Sequence, residues 1–228
     1  EIRNCDWSSD VCSSDLASED TVPVASWPYH RILKRLRERP DMTPEDLSIA
    51  IIREYLCHYQ DEVRGVTMSA CNLADTVSAT LETSLKELAS HLSQSIKTSE
   101  EVRFAVMRAR IAAQSFYLKE FVDLYDFCRL LKSSFSADDE KVATLMDRCQ
   151  DVMNAIQPPP PEDDEAPPMI SLDTFVMAHG YCGFPLKDSH GVSVYFPWNS
   201  PGDAIGREYK TLQLAEKTGW YEFLQVFT

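Results

Sequence analysis

Between residues 28 and 156 the apolar positions recur mostly at helical spacing. After Trp27-Pro28, the residues Tyr29, Ile32, Leu33 and Leu36 fall at i, i+3, i+4 and i+7. That spacing predicts a helix laid on a core, with basic residues on its other face. Thr43-Pro44-Glu45-Asp46 supplies a capping hydroxyl, a first-turn proline and first-turn acids. It predicts a second helix, with Leu47, Ala50, Ile51 and Tyr55 turned inward. Val63 to Ala70 is short, partly β-branched and contains Gly65, which reads as one strand reaching a turn. Asn72 is the expected cap of a long amphipathic helix whose apolar positions run Val77, Leu81, Leu85, Leu88, Leu92 and Ile96. Ser99 starts the next helix, burying Val102, Val106, Ala109 and Ala113. Asp123 caps another, through Leu124, Phe127, Leu130 and Leu131, and Ser136 with Asp138 and Asp139 opens one that includes Val142, Leu145, Met146 and Val152.

After residue 156 the pattern changes. Residues 157–168 hold six prolines among acids, a composition that blocks helix and carries too little apolar surface to fold, so a stiff exposed connector is expected. Ser171 to Ala178 and Val192 to Phe196 read as strands, with Gly180 and Gly183 in the turn region between them. Short helices around Tyr209 to Lys217 and Tyr221 to Val226 close the chain, the latter capped by Thr218. The expected organisation is a mostly helical part over 17–156, the connector, and a β-containing segment of the same fold over 169–228.

Composition narrows the function classes. The 228 residues carry a formal net charge of −14, which argues against nucleic-acid binding because phosphate neutralisation needs clustered Lys and Arg. No run of about 18 to 20 apolar residues suggests a membrane span. The seven cysteines are odd in number and form no CxxC pair, which disfavours a disulfide framework and a zinc site and predicts buried reduced thiols. The acid run Glu162 to Glu165 lacks the spaced ligands and glycine of a calcium loop.

The amino-terminal residues read differently. Asp6 to Leu16, DWSSDVCSSDL, shows no apolar period, and one reading frame of a widely used sequencing adapter encodes it in order. Residues 1–16 are therefore expected to be a disordered artefact outside the fold, as a fusion scar would be. Whatever precedes Ala17 in the native gene, a signal peptide included, is then out of view.

Five blocks in order carry a family resemblance. They are Ala17-Ser18-Glu19-Asp20 with Val22-Pro23 and Trp27-Pro28-Tyr29; Pro40 to Pro44; Val66 to Ala70 with Asn72-Leu73; Phe121 to Phe127; and Gly191 to Pro197. Trp220, Phe223 and Leu224 fit the terminal segment. Together they resemble the carboxy-terminal portion of clostripain-like cysteine peptidases, over essentially all of 17–228. The departures are Ser26, where glycine usually precedes the Trp-Pro pair, and Asn72, where aspartate is usual. The resemblance implies an α/β fold, as part of a caspase-like α/β/α sandwich, and for the parent protein a cysteine endopeptidase acting on peptide or protein substrates after Arg or Lys. It also implies that the catalytic histidine and cysteine lie upstream of Ala17, so this chain is expected to be inactive and to hold no cofactor, with calcium familiar in the parent family. Holding a guanidinium calls for a carboxylate; Asp20 is the first choice for that role and Glu19 the second. The rival expectation is a non-catalytic helical interaction module with an acidic surface.

No replacement dyad is expected in the remainder. Phe175 to Gly180 ends apolar residues in His179-Gly180, but the only later thiol, Cys182, is three residues away in the same turn, and ordinary packing is expected for both. A metal role for them with His190 lacks a fourth ligand. Cys57 and His58 adjoin on a helix and point to different faces.

Overall fold

A computed structural model describes residues 14–23, 27–60, 65–157, 171–200 and 204–228. Most of the proline-rich connector, Ser26, Cys5 and Cys12 lie outside the described residues. Strand β1 (Ser14–Ala17) is followed by α1 (Tyr29–Glu38), α2 (Pro44–His58) and β2 (Val66–Asn72). Four helices follow, α3 (Asp75–Thr98), α4 (Glu100–Ala112), α5 (Leu124–Ser133) and α6 (Ala143–Ile156), with the short β3 (Phe121–Asp123) running into α5. The chain then forms β4 (Val176–Cys182), β5 (Ser193–Tyr195), α7 (Ala204–Tyr209), α8 (Gln213–Thr218) and α9 (Trp220–Phe227).

The main sheet has the order β1-β2-β4, every neighbour antiparallel, and β3 pairs with β5 in a second small sheet. Alternation along β2 makes the layers. Val66, Met68 and Ala70 join Ile52, Tyr55, Tyr59 and Met177 in a small core under α2. Cys71, on the opposite face, joins Val176 and the large core built by α3, α4, α5, α6, α8 and α9. Successive side chains of a strand point to opposite faces, so the sheet lies between two helical layers and the fold is a mixed, mainly helical α/β sandwich. Gly180 inside β4 lets Leu56 of α2 pack close on the strand, since a Cβ there would meet Leu56 Cδ1 and force that side chain to move.

Three caps arise as local chemistry dictates. Thr43 accepts from Asp46 N, Ser99 from Val102 N and Asp123 from Asp126 N, each side-chain oxygen satisfying a donor of the first helical turn. Arg110 of α4 ties the small sheet to the helices. It is buried; Nε donates to Phe196 O and Nη2 to Lys119 O, each at 2.6 Å, and its guanidinium lies 4.5 Å from the Trp198 ring centre. Burial pulls its pKa down to about 10, against the attraction of Glu120, and it stays charged at neutral pH. Lysine has no fork to serve two carbonyls. Arg110→Lys is expected to cost about 1.5–3 kcal/mol in urea denaturation.

Several elements depart from the sequence expectations. β1 starts at Ser14, so the last three residues of the segment set aside as an artefact pair with β2. On α1 only Ile32 is buried, while Tyr29 and Leu33 are 63% and 61% exposed: apolar spacing marks a face without supplying its cover. On α2 the inward set is Ser48, Ile52 and Tyr55, because with Ile51 and Ile52 adjacent the stripe had two possible registers. Asn72 ends β2; α3 begins at Asp75, with Asn72 Oδ1 accepting from Ala74 N. Asp139 turns its carboxylate to Lys141 N, forming a turn where a helix was expected, and α6 starts at Ala143. β4 begins five residues later than expected, which puts His179-Gly180 inside the strand and the turn at Gly183.

Candidate functional site

Three loops meet where β1 ends: residues 18–21, 113–120 and 183–192. Each is held by side-chain to backbone bonds across long sequence separations. Glu19 N donates to Thr67 Oγ1 (3.0 Å), and Glu19 Oε2 accepts from Gly191 N (2.9 Å). Asp20 Oδ1 accepts from Thr21 N (2.7 Å) and from Tyr117 N (3.0 Å). Gln114 Nε2 donates to Pro185 O (2.9 Å), while Gln114 N donates to Asp126 Oδ2 (2.8 Å). Asp123 completes the junction: Oδ2 accepts from His190 N (2.6 Å), and Oδ1 lies 3.2 Å from His190 Nδ1.

Gly191 allows this convergence. Its φ of 98° lies in the region glycine favours, and a Cβ there would sit 2.9 Å from Ser69 Oγ and 3.0 Å from Val176. A larger residue would push the loop off the sheet and away from the Glu19 carboxylate. Gly191→Ala is expected to lower the unfolding free energy by about 1–3 kcal/mol, measured in urea.

The two histidines in the junction differ electrostatically. The His179 side chain is 11% exposed, with Nε2 3.5 Å from Glu19 Oε2. Burial drives its pKa down to about 4; attraction by Asp123 and repulsion by His190 are smaller. With its pKa that low the His179 ring is neutral at neutral pH and lies beside the Glu19 carboxyl group. His190 also loses solvation, yet its hydrogen bond and attraction to Asp123, with Asp126 behind, raise its pKa above the usual value. Its ring stacks on Tyr125 with centres 4.4 Å apart. A ring-proton NMR titration is expected to give His179 a midpoint near 4 and His190 one above 6.5. Coincident midpoints near 6.5 would contradict the burial argument.

The structure separates the two acids singled out from sequence. The Glu19 side chain is 3% exposed and directed at Gly191 and His179. Asp20 is half-buried, with one oxygen bound to two backbone donors. His179 and Cys182 form no pair: three residues apart in one strand they face opposite sides, His179 toward Glu19 and Cys182 Sγ toward Tyr59 O (3.4 Å). Cys57 is exposed and accepts from Arg31, while the His58 ring packs on Tyr59. Cys71, Cys128 and Cys149 are buried free thiols. Sequence reading missed the second role of Asp123, seen there only as a helix cap, and the pairing of Asp20 with Tyr117. The sole local signal was His190-Gly191 directly before a strand.

A layered α/β domain with a rigid polar junction at the carboxyl end of an edge strand is thus the class of protein that the structure defines. The Clostripain family model, peptidase C11, matches residues 10–224, and the chain belongs to that family of cysteine peptidases. A solved structure, described as a secreted C11 cysteine protease from Bacteroides thetaiotaomicron in complex with an irreversible peptide inhibitor, aligns with 91% of this chain and 53% of its own at 12% identity and a TM-score of 0.48. The chain spans about half the length of that protease. No curated protein matches it.

Proposed function

We propose that this chain supplies the substrate-side scaffold of a clostripain-type cysteine endopeptidase whose catalytic histidine and cysteine it does not itself contain, so that alone it does not cut peptides. The observation that carries the reading is chemical. Nucleophilic catalysis of this kind needs an imidazole within reach of a thiol, and His179 faces Glu19 while Cys182 faces Tyr59 across the sheet. In the parent, the thiolate attacks the peptide carbonyl while histidine handles the proton. This chain's part is to present Asp20 to an Arg or Lys side chain before the cut, with Glu19 holding the adjoining loop. Among the described residues no group of three or more His, Cys, Asp or Glu is placed to hold a metal ion.

The test uses the 228-residue chain and a fluorogenic arginyl peptide. No hydrolysis sensitive to thiol alkylation is expected. Alkylation-sensitive turnover by the purified chain would sink the proposal. In a complete enzyme, Asp20→Asn should raise KM for arginyl substrates far more than it lowers kcat.

One observation favours the alternative, a non-catalytic interaction module with an acidic surface. Tyr29, Leu33 and Leu36 form an exposed apolar stripe on α1, and Arg31, Lys34 and Arg37 lie on the same helix. Stable, salt-sensitive complex formation by an intact relative with no catalytic pair would decide for the module.

A further inference from the structure

We propose that the outer face of α1 is a docking surface for an acidic amphipathic helix of another protein, packed along Tyr29, Leu33 and Leu36 and held in register by Arg37 and Arg39. The surface shares no residue with the junction at Glu19 and Asp20, so it binds whether or not the parent cuts peptides.

The inner face of α1 is occupied within the chain. Ile32 is buried, Arg35 Nε lies 2.7 Å from Glu54 Oε1, and Arg31 Nη1 donates to Cys57 Sγ (3.5 Å), so the helix is tied to α2 on that side. Its outer face is left over. Tyr29, Leu33 and Leu36 are 63%, 61% and 37% exposed, at spacings of four and three residues. That is the d-a-d spacing of a coiled-coil seam, a stripe one side chain wide. The seam is stiff at its start: the Tyr29 ring stacks on Trp27 (6.3 Å between centres), and Trp27 packs on the buried Tyr55 (5.2 Å). A ridge fixed before binding loses little entropy on contact.

The charges beside the seam choose the partner. Five of the chain's 22 Lys and Arg lie between residues 31 and 39, against one acid, on a chain of net charge −14. With Leu33 at a and Leu36 at d, the flanking e positions hold His30 and Arg37, and Arg39 follows at g. Arg39 is 3.5 Å from Asp46 in an exposed pair, and the Arg37 side chain has no acidic partner among the described residues. Acids at the matching positions of a facing helix would pair with both arginines. A second copy of α1 is disfavoured as the occupant, because it would bring these arginines against each other across the seam. A lipid surface suits a wide apolar face rather than a single ridge.

The experiment titrates the 228-residue chain at low salt into a fluorescein-labelled three-heptad peptide with leucine at a and d and glutamate at e and g, and into its counterpart with lysine at e and g. Saturable, salt-sensitive binding of the glutamate peptide is expected, with the lysine peptide about tenfold weaker or more. Leu33→Ser should weaken the glutamate peptide about tenfold, and Arg37→Glu combined with Arg39→Glu should reverse the preference between the peptides. Both variants should retain the parent Tm, since all three side chains are exposed. Absence of saturable binding overturns the proposal, as does binding that survives Leu33→Ser or holds its preference in the charge-reversed variant. Phosphatidylglycerol vesicles are the third probe: if they bind through Leu33 while the glutamate peptide does not bind, the ridge meets a lipid surface and the helical partner is wrong.

Discussion

Asp123→Ala is expected to lower the unfolding free energy by about 3–5 kcal/mol, a large part of the 5–15 kcal/mol usual for a domain. The Asp123 carboxylate is fully buried and does three things at once. It caps α5 through Asp126 N, receives His190 N, and lies against the His190 ring. Truncation to alanine leaves one buried and one part-buried backbone N–H group without acceptors, each costing about 1–3 kcal/mol, and removes the partner that favours the charged imidazole. Asp123→Asn should cost about half as much, since its amide oxygen can still accept one of those bonds while its NH2 faces a donor. Urea denaturation measures both, and a linked NMR observation distinguishes the mechanism: in Asp123→Asn the His190 midpoint should fall, because the charge that raised it is gone. A stability loss below about 1 kcal/mol for alanine would show that water replaces the carboxylate and that the junction is less closed than its geometry indicates.

The parts of the fold legible in sequence were those written in local chemistry. Thr43, Ser99 and Asp123 cap helices because a short side-chain oxygen three residues before a first-turn N–H closes the same ring in any context. The apolar spacing of Leu81, Leu85, Leu88, Leu92 and Ile96 places all five in the core as read, because a long one-sided stripe leaves only one register. Failures came where the outcome depends on what lies opposite. Tyr29 and Leu33 show helical spacing and remain exposed, since neither packs into a core, although Tyr29 stacks on the Trp27 ring. The limits of β4 follow from pairing with β2 through an irregularity at Ala70 and Cys71, whose partners are Ala178 and Val176, far along the chain. The candidate site was legible as a pair of adjacent acids after a strand, and no further. Which of them is buried depends on Gly191 and Tyr117, at separations of 172 and 97 residues.

That long-range dependence makes the terminal helix part of the site's foundation, and Trp220→Ala is expected to be the most damaging single truncation of the core. Trp220 is fully buried at the start of α9; its ring centre lies 5.6 Å from that of Phe196 and 5.0 Å from that of Phe223, and Nε1 donates to Tyr195 O at 2.9 Å. Tyr195 and Phe196 are the end of the β5 segment whose start, Gly191 and Val192, bonds Glu19 and Leu124. Alanine removes the ring, leaves a cavity among aromatic side chains and orphans a buried carbonyl. The expected loss is about 3–5 kcal/mol, or roughly 10 °C in Tm for a chain of this size. Trp220→Phe retains most of the packing and loses the N–H, for which about 1–2 kcal/mol is expected. Hydrogen exchange separates local from global damage. The Phe196 amide, bonded to Glu120 O at 2.6 Å, should lose protection in Trp220→Ala before amides of α3 do. Equal loss at both places would mean that β5 and the helices open as one unit, and that the small sheet has no stability separate from the main core.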